Sequence, residues 1–411
     1  MLLTGNALCN NPRAQKEAAS LAAAGFRVTV LGAWLSSELK QRDLELLAGA
    51  RYGFEAVIDF ADKRVAARTA SLSVRLRTGL ARKCHGLSGL ESRWQLGYAV
   101  DELLRRALRS DADLFIAHSE SGLYAARQLQ RSGRQAGVDM EDWFSEDITP
   151  EAKRGRPLGL LRALERDVLN QASHATCTSA AMSQALADCY GCVAPTVIYN
   201  AFPWADRKLL DGQWKDRPRG GRLSIHWYSQ TLGPGRGLED LITALPLVKA
   251  DMEVHLRGRP APGYREHLLD RLPPGQRERL YFHDLVSGSE LLSRIVEHDI
   301  GFSGEVPTIP SRDLTVTNKI LHYLLAGIPV VASDTTGNRE VAGRAQAAVF
   351  LWPAGGSREL GSQLDFLLLD SDRLVHAKAA ALAAAEERFC WERSAPQLVR
   401  SVESGLSGLK A

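Results

Sequence analysis

The sequence has 411 residues, of which 45% are hydrophobic and 24% are charged, as in an ordinary globular protein of two domains. Its formal net charge of +3 does not indicate nucleic-acid binding. No run of about 18 apolar residues occurs, so we expect no membrane-spanning helix.

The cysteines and the first residues bear on the compartment. Six cysteines are scattered along the chain, which favours a reducing environment over a disulfide framework. Cys189 and Cys192 form a C-x-x-C pair without a second Cys or His pair, which is only a weak metal-site motif. The first residues lack the basic segment of a signal peptide. We therefore predict a cytoplasmic protein.

Short apolar strands alternate with helical patterns along the first half of the chain. A strand at 1–7 is followed by a helix that begins at Pro12 and ends at Gly25, and then by a strand at 26–34. This order predicts a parallel sheet with right-handed crossovers. Further strands of this half are predicted at 112–119, 135–142, 174–179 and 196–203.

A second series of strands and helices follows a segment rich in charge, proline and glycine, which we predict to be a linker. The predicted fold is α/β, with two Rossmann-like parallel-sheet domains. Parallel sheets bind ligands beyond the carboxyl ends of their strands, so two such domains are expected to face each other across a ligand-binding cleft. The predicted bounds are 1–202 for the first domain, 203–221 for the linker, 222–388 for the second domain and 389–411 for a terminal helix.

A glycine-rich loop, YSQTLGPGRGLEDL, joins a predicted strand to a predicted helix in the second domain. Gly235 and Gly237 allow the backbone to approach a ligand closely, and the amide groups of a helix start attract anions. Arg236 adds a forked donor that suits phosphate. The loop therefore predicts an anion-binding site. The alternative interpretation is a flexible turn in which Arg236 faces the solvent.

The stretch TNKILHYLLAGIPVVASD predicts a helix, a glycine stop and a buried strand. Thr317 is the expected N-cap, and Gly327 is expected to end the helix in the left-handed conformation. Asn318 and Lys319 fall in the first turn, where a lysine opposes the helix dipole. An anionic ligand or a nearby carboxylate is therefore expected there. His322 lies one turn further and either faces the same ligand or belongs to the core.

These stretches, above all NKILHYLLAGIPVVASD, resemble the C-terminal half of GT-B glycosyltransferases of the family 4 group. The first half agrees, because NNPRAQKEAASLAAAGFRVTVL, FIAHSES and VDMEDWFSE resemble the corresponding segments of that family. The final FCWERSAPQL resembles the helix that crosses back onto the first domain. The resemblance spans nearly the whole chain.

The resemblance implies a sugar transferase whose nucleotide-sugar donor, UDP- or GDP-linked, is held by the second domain, with Arg236 neutralising the diphosphate. It also implies a glycan or lipid-linked acceptor, retention of anomeric configuration, no cofactor and no metal, and a place in bacterial surface polysaccharide or glycoconjugate assembly. The remaining implied site residues are His118 near the reacting sugar, Arg257, Gly258, His283 and the helix beginning at Asn318 around the donor, and Arg13, Glu141 and Asp142 on the acceptor side.

The sequence departs from the family at two carboxylates. Many relatives have two glutamates eight residues apart, the second five residues before the glycine of Gly-x-Pro, and here those positions hold Leu314 and His322. Glu305 and Asp313 are also eight apart but out of register. Either His322 binds a ribose hydroxyl or the site is degenerate.

Residues 63–83 contain seven Lys or Arg and no acidic residue. On a helical wheel, a basic line flanks an apolar stripe of Val65, Leu72, Leu76 and Leu80. Such a helix either lies on an anionic membrane surface, here the inner face of the cell membrane, or packs its leucines into the core. The membrane-facing residues in the first case are Arg64, Arg68, Arg75 and Arg82.

Two other functions stay open. UDP-sugar 2-epimerases share the two-domain architecture, although they need no lipid acceptor and the basic segment argues against them. A non-catalytic GT-B relative that binds a glycan or a protein partner would explain the missing carboxylate at His322. A nicotinamide dehydrogenase is disfavoured, because the G-x-G-x-x-G spacing is absent after both domain-opening strands.

Overall fold

A computed structural model describes residues 1–147, 149, 153 and 155–407 of the chain. The chain forms two compact units. The first comprises Met1–Thr178, Met182–Ile198 and the residues from Ala395 onward, and the second comprises Ser179–Ala181 and Tyr199–Ser394.

The first unit is built on a parallel sheet of seven strands in the order β3-β2-β1-β4-β5-β6-β7. The central strands are buried, as in a sheet covered by helices on both faces. The edge strand β3 is absent from the sequence prediction, since it is half-buried and lacks a continuous apolar run. The strands are β1 (Leu2–Leu3), β2 (Thr29–Trp34), β3 (Gly53–Asp59), β4 (Phe115–Ala117), β5 (Ala136–Met140), β6 (Ala175–Cys177) and β7 (Thr196–Val197).

Several helices of the first unit begin at a side-chain cap. In α1, Pro12 occupies the first position and the Asn11 side chain accepts a hydrogen bond of 2.8 Å from the Ala14 N–H. The helices are α1 (Pro12–Ala23), α2 (Ser37–Leu47), α3 (Val65–Ser88), α4 (Val100–Leu108), α5 (Glu120–Arg131), α6 (Leu158–Asn170) and α7 (Ala180–Tyr190).

The second unit is built on a parallel sheet of six strands in the order β10-β9-β8-β11-β12-β13. Its core is apolar and includes the fully buried rings of Trp227, Phe302 and Trp352. The strands are β8 (Leu223–Leu232), β9 (Met252–Pro260), β10 (Leu280–His283), β11 (Ile300–Ser303), β12 (Val330–Ser333) and β13 (Val349–Trp352).

The remaining helices follow these strands. They are α8 (Leu238–Ala244), α9 (Tyr264–Leu269), α10 (Gly288–Ile295), α11 (Pro310–Leu314), α12 (Asn318–Ala326), α13 (Thr336–Arg344), α14 (Ser357–Leu368), α15 (Ser371–Glu387) and α16 (Trp391–Ser407). In α16, Ser401 Oγ lies 3.0 Å from the Nδ1 atom of His174. The predicted return of the terminal helix to the first unit is thereby confirmed.

The helix α12 has the ends that its sequence predicts. The Thr317 side chain accepts from the Ile320 N–H at 3.4 Å, and Gly327 follows the last turn at φ +77°. The strand β12 begins three residues later. The first turn of α12 therefore opens beyond the carboxyl end of β11, which is the edge where a parallel sheet binds ligands.

The segment predicted as a linker packs on the second unit. Residues Trp204–Leu209 form a 3-10 helix, and the Asp211 N–H donates to Ser293 Oγ on α10 at 3.0 Å. Arg294 of the same helix donates to the Asp211 carboxylate at 2.6 Å. The whole predicted linker, residues 203–221, thus belongs to the second unit.

Candidate active site

Arg236 lies in the loop between β8 and α8, and two glycines shape that loop. Gly235 and Gly237 have φ values of +81° and +67°, which favour glycine over any other residue. The loop touches the one that follows β11, because a Cβ on Gly304 would lie 2.7 Å from the carbonyl oxygen of Arg236. Because these glycines have no side chain, the two loops approach each other closely. Arg236 therefore lies at the carboxyl end of β11.

Glu305, in the loop after β11, is the partner of Arg236. Its side chain is 2% exposed, and the Nη1 atom of Arg236 donates to its two oxygens at 2.7 and 2.8 Å. The Nζ atom of Lys319 lies 3.8 Å from Oε1 of the same carboxylate. The Glu305 backbone N–H donates to Ser333 Oγ at 2.8 Å. A buried carboxylate needs such pairing, so this one holds two cations at the edge of the sheet.

Lys319 occupies the first turn of α12, and its Nζ atom lies 5.3 Å from the centre of the Trp227 ring. Burial lowers the pKa of Lys319 to about 8, Glu305 acts in the opposite direction, and Arg236 and Arg312 lower the pKa further. The expectation of a carboxylate near this lysine is confirmed.

Arg312 on α11 completes a group of three cations. Its Nη1 atom lies 3.5 Å from the Gly235 carbonyl oxygen. It lies close enough to Lys319 to lower the pKa of that lysine, while Arg236 and Lys319 are the cations beside Glu305. We call Arg236, Arg312, Lys319 and Glu305 the cation cluster. Cations gathered in this way attract anions to this edge of the sheet.

The start of α8 contributes less than the sequence suggests. The helix has seven residues, and its first turn holds Glu239 and Asp240. These carboxylates accept hydrogen bonds from the Tyr264 hydroxyl at 2.7 Å and from the Gly355 N–H at 2.9 Å. Side-chain charge, more than the dipole of a short helix, therefore makes this site positive.

His322 lies on the buried side of α12 in an aromatic setting. Its ring stacks on Phe202 with centroids 3.9 Å apart, and the Tyr228 hydroxyl lies 2.9 Å from its Nδ1 atom. Asn318, at the start of the same helix, is exposed. The position of the family's carboxylate is thus filled by an imidazole that two aromatic neighbours hold in place.

Arg257 and His283, predicted to bind the donor, have contacts in a different cluster. The Arg257 guanidinium is buried and donates to the Asp216 carboxylate and to the Asp284 carbonyl oxygen. The Nε2 atom of His283 lies 2.8 Å from Nδ1 of His255. Within the described residues, the contacts of these side chains therefore join the segment before β8 to strands β9 and β10 instead of joining the cation cluster.

Gly258, within β9, is required by packing. A Cβ at Gly258 would lie 2.4 Å from the carbonyl oxygen of Ser229, and its φ is +151°. The close approach of β8 and β9 explains this glycine without a ligand.

In the first unit, Arg13 and His118 meet at a buried carboxylate. The Arg13 guanidinium pairs with Asp139 through Nε and Nη2, and its Nη1 atom donates to the Ile198 carbonyl oxygen at 2.7 Å. The ring of His118 lies between Glu17 at 3.2 Å and Asp139 at 3.4 Å. All four side chains are fully buried.

The resemblance implies that Arg13 and His118 face ligands, whereas the structure buries both side chains. Asp139, at the end of a central strand, draws both cations inward, because a buried carboxylate without a partner is costly. In this structure neither side chain is exposed to contact a substrate directly. The catalytic role of His118 stays a prediction.

The charges of this buried group are interdependent. Burial lowers the pKa of His118, but Glu17 and Asp139 outweigh it and raise the pKa to about 10. Burial and Asp139 raise the pKa of Glu17, while Arg13 and His118 hold the pKa of Asp139 well below its usual value despite burial. His118 is therefore a cation at neutral pH.

Glu141 and Asp142 follow β5, next to this group. Glu141 is half-buried and Asp142 is exposed. Burial first, and then Asp139, raise the pKa of Glu141 to about 8. Their predicted place on the acceptor side stays a prediction.

Two groups of His and carboxylate side chains among the described residues have ligand atoms within 4.8 Å of one another. The groups are Glu17, His118 and Asp139 in the first unit and Asp216, His226 and His298 in the second. Arg13 pairs with the aspartate of the first group, and Arg257 pairs with that of the second. At each aspartate an arginine already supplies the positive charge that a metal ion would bring. This pairing disfavours metal binding by either group.

The basic segment forms the helix α3, and its leucines do not lie in the core. Leu72, Leu76 and Leu80 are 57%, 63% and 63% exposed, whereas Val74 and Thr78 are buried. The interpretation that packs the leucines inward is therefore excluded.

The arginines of the predicted basic line lie beside this stripe. Arg64 precedes the helix and pairs with Asp62 at 2.8 Å, while Arg75 lies over the Phe60 ring. Arg68 and Arg82 are exposed. Exposed leucines and cations thus share one surface of α3.

Comparison with known proteins agrees with this geometry. Residues 227–370, which include the cation cluster, match the family model described as glycosyl transferases group 1. The prediction of a GT-B glycosyltransferase is confirmed. The sequence matches no curated protein. The described residues include no helix long and apolar enough to cross a bilayer.

Solved structures of low sequence identity share the fold over nearly their whole length. HepE from Anabaena in complex with UDP-glucose is 18% identical, with 98% of this chain and 99% of that chain covered and a TM-score of 0.67. Sucrose-phosphate synthase from Thermosynechococcus elongatus is 12% identical, with 99% of both chains covered and a TM-score of 0.71. A glycosyltransferase from Rickettsia africae is 13% identical, with 98% of both chains covered and a TM-score of 0.65.

The sequence does not identify the carboxylates that pair with the cations, either in the buried group of the first unit or in the cation cluster. Glu17 lies one turn after Arg13 on α1, and this spacing is a detectable sign of an ion pair. Glu305 appears in the sequence only as an acid out of register with the family pattern. Arg312 has no distinguishing neighbour in the sequence.

The buried charges of the first unit predict a specific pH dependence of stability. The pKa of His118 is raised to about 10 in the folded chain, so its stabilising contribution is complete below its unfolded pKa of 6.5 and is lost as the pH rises toward 10. We expect His118→Gln to lower the free energy of unfolding by about 3–5 kcal/mol near pH 6 and by much less near pH 10. Chemical denaturation at several pH values measures this.

A matched control is His174, which is also buried in the first unit. Burial lowers its pKa to about 4, so it is neutral throughout this range. The effect of His174→Gln should not vary between about pH 8 and 10, because His174 is neutral there in the folded chain and, with an ordinary pKa of 6.5, in the unfolded chain as well. An effect of His118→Gln that is equally flat would contradict the charged state of His118.

Proposed function

We propose that the protein transfers a sugar from a UDP- or GDP-linked donor to a glycan or lipid-linked acceptor, with retention and without a metal ion. The observation that carries this proposal is the cation cluster, in which Arg236 and Lys319 lie beside one buried carboxylate and Arg312 lies close to Lys319. The cluster lies within the part of the chain that matches glycosyl transferases group 1.

The chemistry of the donor explains why such a cluster is useful. When the bond between the sugar and the diphosphate breaks, negative charge develops on the leaving phosphate oxygen. Fixed cations next to that oxygen stabilise the transition state more than the ground state. Arg236 offers a forked donor and Lys319 a point charge, so the chain's own side chains supply the neutralisation that the proposal requires.

Structures of similar proteins support the choice of donor. HepE from Anabaena has been crystallised with UDP, with UDP and glucose, and with UDP-glucose. Retention and the type of acceptor rest on the resemblance to the family 4 group. For the ribose we propose His322, which occupies the position of the family's carboxylate and is held by Phe202 and Tyr228.

Removal of Arg236 tests the proposal. We expect Arg236→Ala to weaken binding of UDP or GDP, whichever the wild type binds, by on the order of 10–100-fold, because a charge-assisted contact to phosphate is lost. Isothermal titration calorimetry measures the dissociation constants. Arg358→Ala, which removes an exposed arginine from α14 of the same unit, should bind like the wild type.

Undiminished binding in Arg236→Ala would remove this arginine from its proposed role. Product analysis with the donor alone separates transfer from isomerisation. Conversion of a UDP-sugar to its 2-epimer without an acceptor would favour the epimerase alternative.

We further propose that α3 rests on an anionic membrane surface, where a lipid-linked acceptor for surface polysaccharide or glycoconjugate assembly would be found. The exposed residues Val65, Leu72, Leu76, Leu80 and Leu87 follow helical spacing along one side of α3. No acidic residue occurs between 63 and 83. An apolar stripe with basic flanks suits the boundary between acidic headgroups and acyl chains.

Substitution of the apolar stripe tests this surface. We expect the double substitution Leu72→Glu with Leu76→Glu to abolish sedimentation with vesicles that contain phosphatidylglycerol at low salt. Two negative charges would replace the apolar contacts that the leucines make with the acyl chains. The matched control is Leu369→Glu with Val375→Glu in the second unit, whose side chains are 61% and 67% exposed. Equal loss in the control, or no binding of the wild type to these vesicles, would contradict a membrane-binding α3.

A further inference from the structure

One face of the second sheet carries histidines where apolar side chains would be expected. In β8 and β9, His226 and His255 are buried and are direct cross-strand neighbours. The residues that alternate with them, such as Trp227 and Leu256, belong to the apolar core on the other face of the sheet. Parallel strands that are covered on both faces are usually apolar on both. The histidine face therefore needs an explanation other than core packing.

Four imidazole rings among the described residues are linked by contacts on this face, and we call them the histidine row: His226, His255, His283 and His298. The ring centre of His298 lies 4.6 Å from that of His226 and 4.7 Å from that of His255. The Nε2 atom of His283 lies 2.8 Å from Nδ1 of His255.

The setting of His226 shows which protonation state the row accommodates. Both of its ring nitrogens are buried, and neither has a hydrogen-bond partner in the part of the chain that the structure describes. A protonated ring would place two N–H groups there, and no described side chain would accept from them. The row is therefore built for neutral imidazoles.

The segment before β8 covers part of the row. Carboxylate oxygens of Asp216 lie 3.6 Å from Nδ1 of His283 and 3.7 Å from Nε2 of His298. Arg257 pairs with the same carboxylate. Because this guanidinium neutralises Asp216, the carboxylate gives little support to a positive charge on the row.

Other ionisable side chains reach the row from the remaining elements packed around it. They are Arg217 before β8, Tyr228 on β8, Glu253 on β9, Tyr281 on β10, Asp284 after β10 and Tyr323 on α12. The Oε1 atom of Glu253 lies 3.0 Å from Nε2 of His255 and 3.5 Å from Nε of Arg217. Asp216 and Glu253 thus each face an arginine as well as a histidine.

The helix α12 also packs on the row. The Tyr323 hydroxyl donates to the His226 carbonyl oxygen at 2.8 Å, and the two rings meet edge to face with centroids 6.1 Å apart. The same helix carries Lys319 in its first turn. Loss of packing at the row would therefore reach the helix that holds part of the cation cluster.

Burial keeps the imidazoles neutral. It lowers the pKa of His226 far below its usual value and that of His255 to about 2, and His298 acts in the same direction on both. Burial also lowers the pKa of His298 to about 4, although Asp216 acts in the opposite direction. In the unfolded chain these pKa values are about 6.5. The stability that depends on the row is therefore complete above pH 6.5 and is lost as the pH falls below it, because the open chain then binds protons that the folded row does not.

We propose that the histidine row is an acid-sensitive switch, which holds the segment 211–217 and α12 on the sheet while its rings are neutral and releases them at mildly acidic pH. Each such imidazole changes the ratio of folded to open chain by close to tenfold per pH unit, so three together change it by close to a thousandfold. The switch itself does not rest on the proposed function. Its release of α12 would also disable the proposed donor site.

Hydrogen exchange of the full chain tests the switch, because protection corrected for intrinsic exchange rates reports the ratio of folded to open chain for each segment. Mass spectrometry at pH 7, 6 and 5 measures it. We expect peptides of β8, β9 and α12 in the wild type to lose protection by a few hundredfold between pH 6 and pH 5. They should regain it on return to pH 7.

Two variants assign this loss to the row. His226→Gln removes one titrating ring at similar size and should make the loss about eightfold smaller. His376→Gln removes an exposed histidine from α15 of the same unit and should keep the wild-type loss. The surrounding carboxylates titrate alike in all three proteins, so the difference between the proteins reports the imidazole. If His226→Gln does not fold, the loss in the wild type decides alone.

Three results would overturn the inference: a loss of tenfold or less in the wild type, an equal loss in a folded His226→Gln, or no recovery at pH 7. The exchange experiment needs no ligand, so its outcome is independent of sugar transfer. A flat response would leave the proposed function standing, and a chain that binds no nucleotide would leave the switch standing.

Discussion

The pairing of the buried Glu305 carboxylate with Arg236 and Lys319 is the constraint on which the second unit's site depends. A carboxylate with almost no solvent contact is stable only beside cations. Here the cations come from two separate segments, the loop after β8 and the first turn of α12. Two glycines bring Arg236 to the end of β11, and a capped helix places Lys319 over Trp227. The local features that the sequence displays thus serve one electrostatic arrangement at the carboxyl edge of the sheet.

The parts of this arrangement that follow local rules were predictable. Alternating apolar strands and helical patterns indicate parallel sheets, and Thr317 and Gly327 mark the ends of α12 by their conformational preferences. Lys319 stands out in the sequence because a lysine opposes the dipole at a helix start. The deduction that a carboxylate or an anion must lie nearby was possible from that single residue. Only the structure identifies the carboxylate as Glu305.

Features that depend on distant parts of the chain were not predictable. Arg13 and Asp139 are 126 positions apart, and their pairing turns an arginine expected at a ligand into a buried structural one. The helix α3 has apolar and basic stripes of equal regularity, and only packing shows that Val74 and Thr78 face inward while Leu72 and Leu76 face outward. Arg257 is likewise taken up by Asp216, a residue of the expected linker. Periodicity and motif spacing contain no information on such long-range partners.

A structure of the protein in complex with UDP tests the central claim most directly, because it shows where the diphosphate binds. We expect diphosphate oxygens within hydrogen-bonding distance of the Arg236 guanidinium and the Lys319 ammonium group, with Glu305 still paired to Nη1 of Arg236. A diphosphate bound elsewhere on the second unit, with these side chains unchanged and without contact to it, would contradict the account.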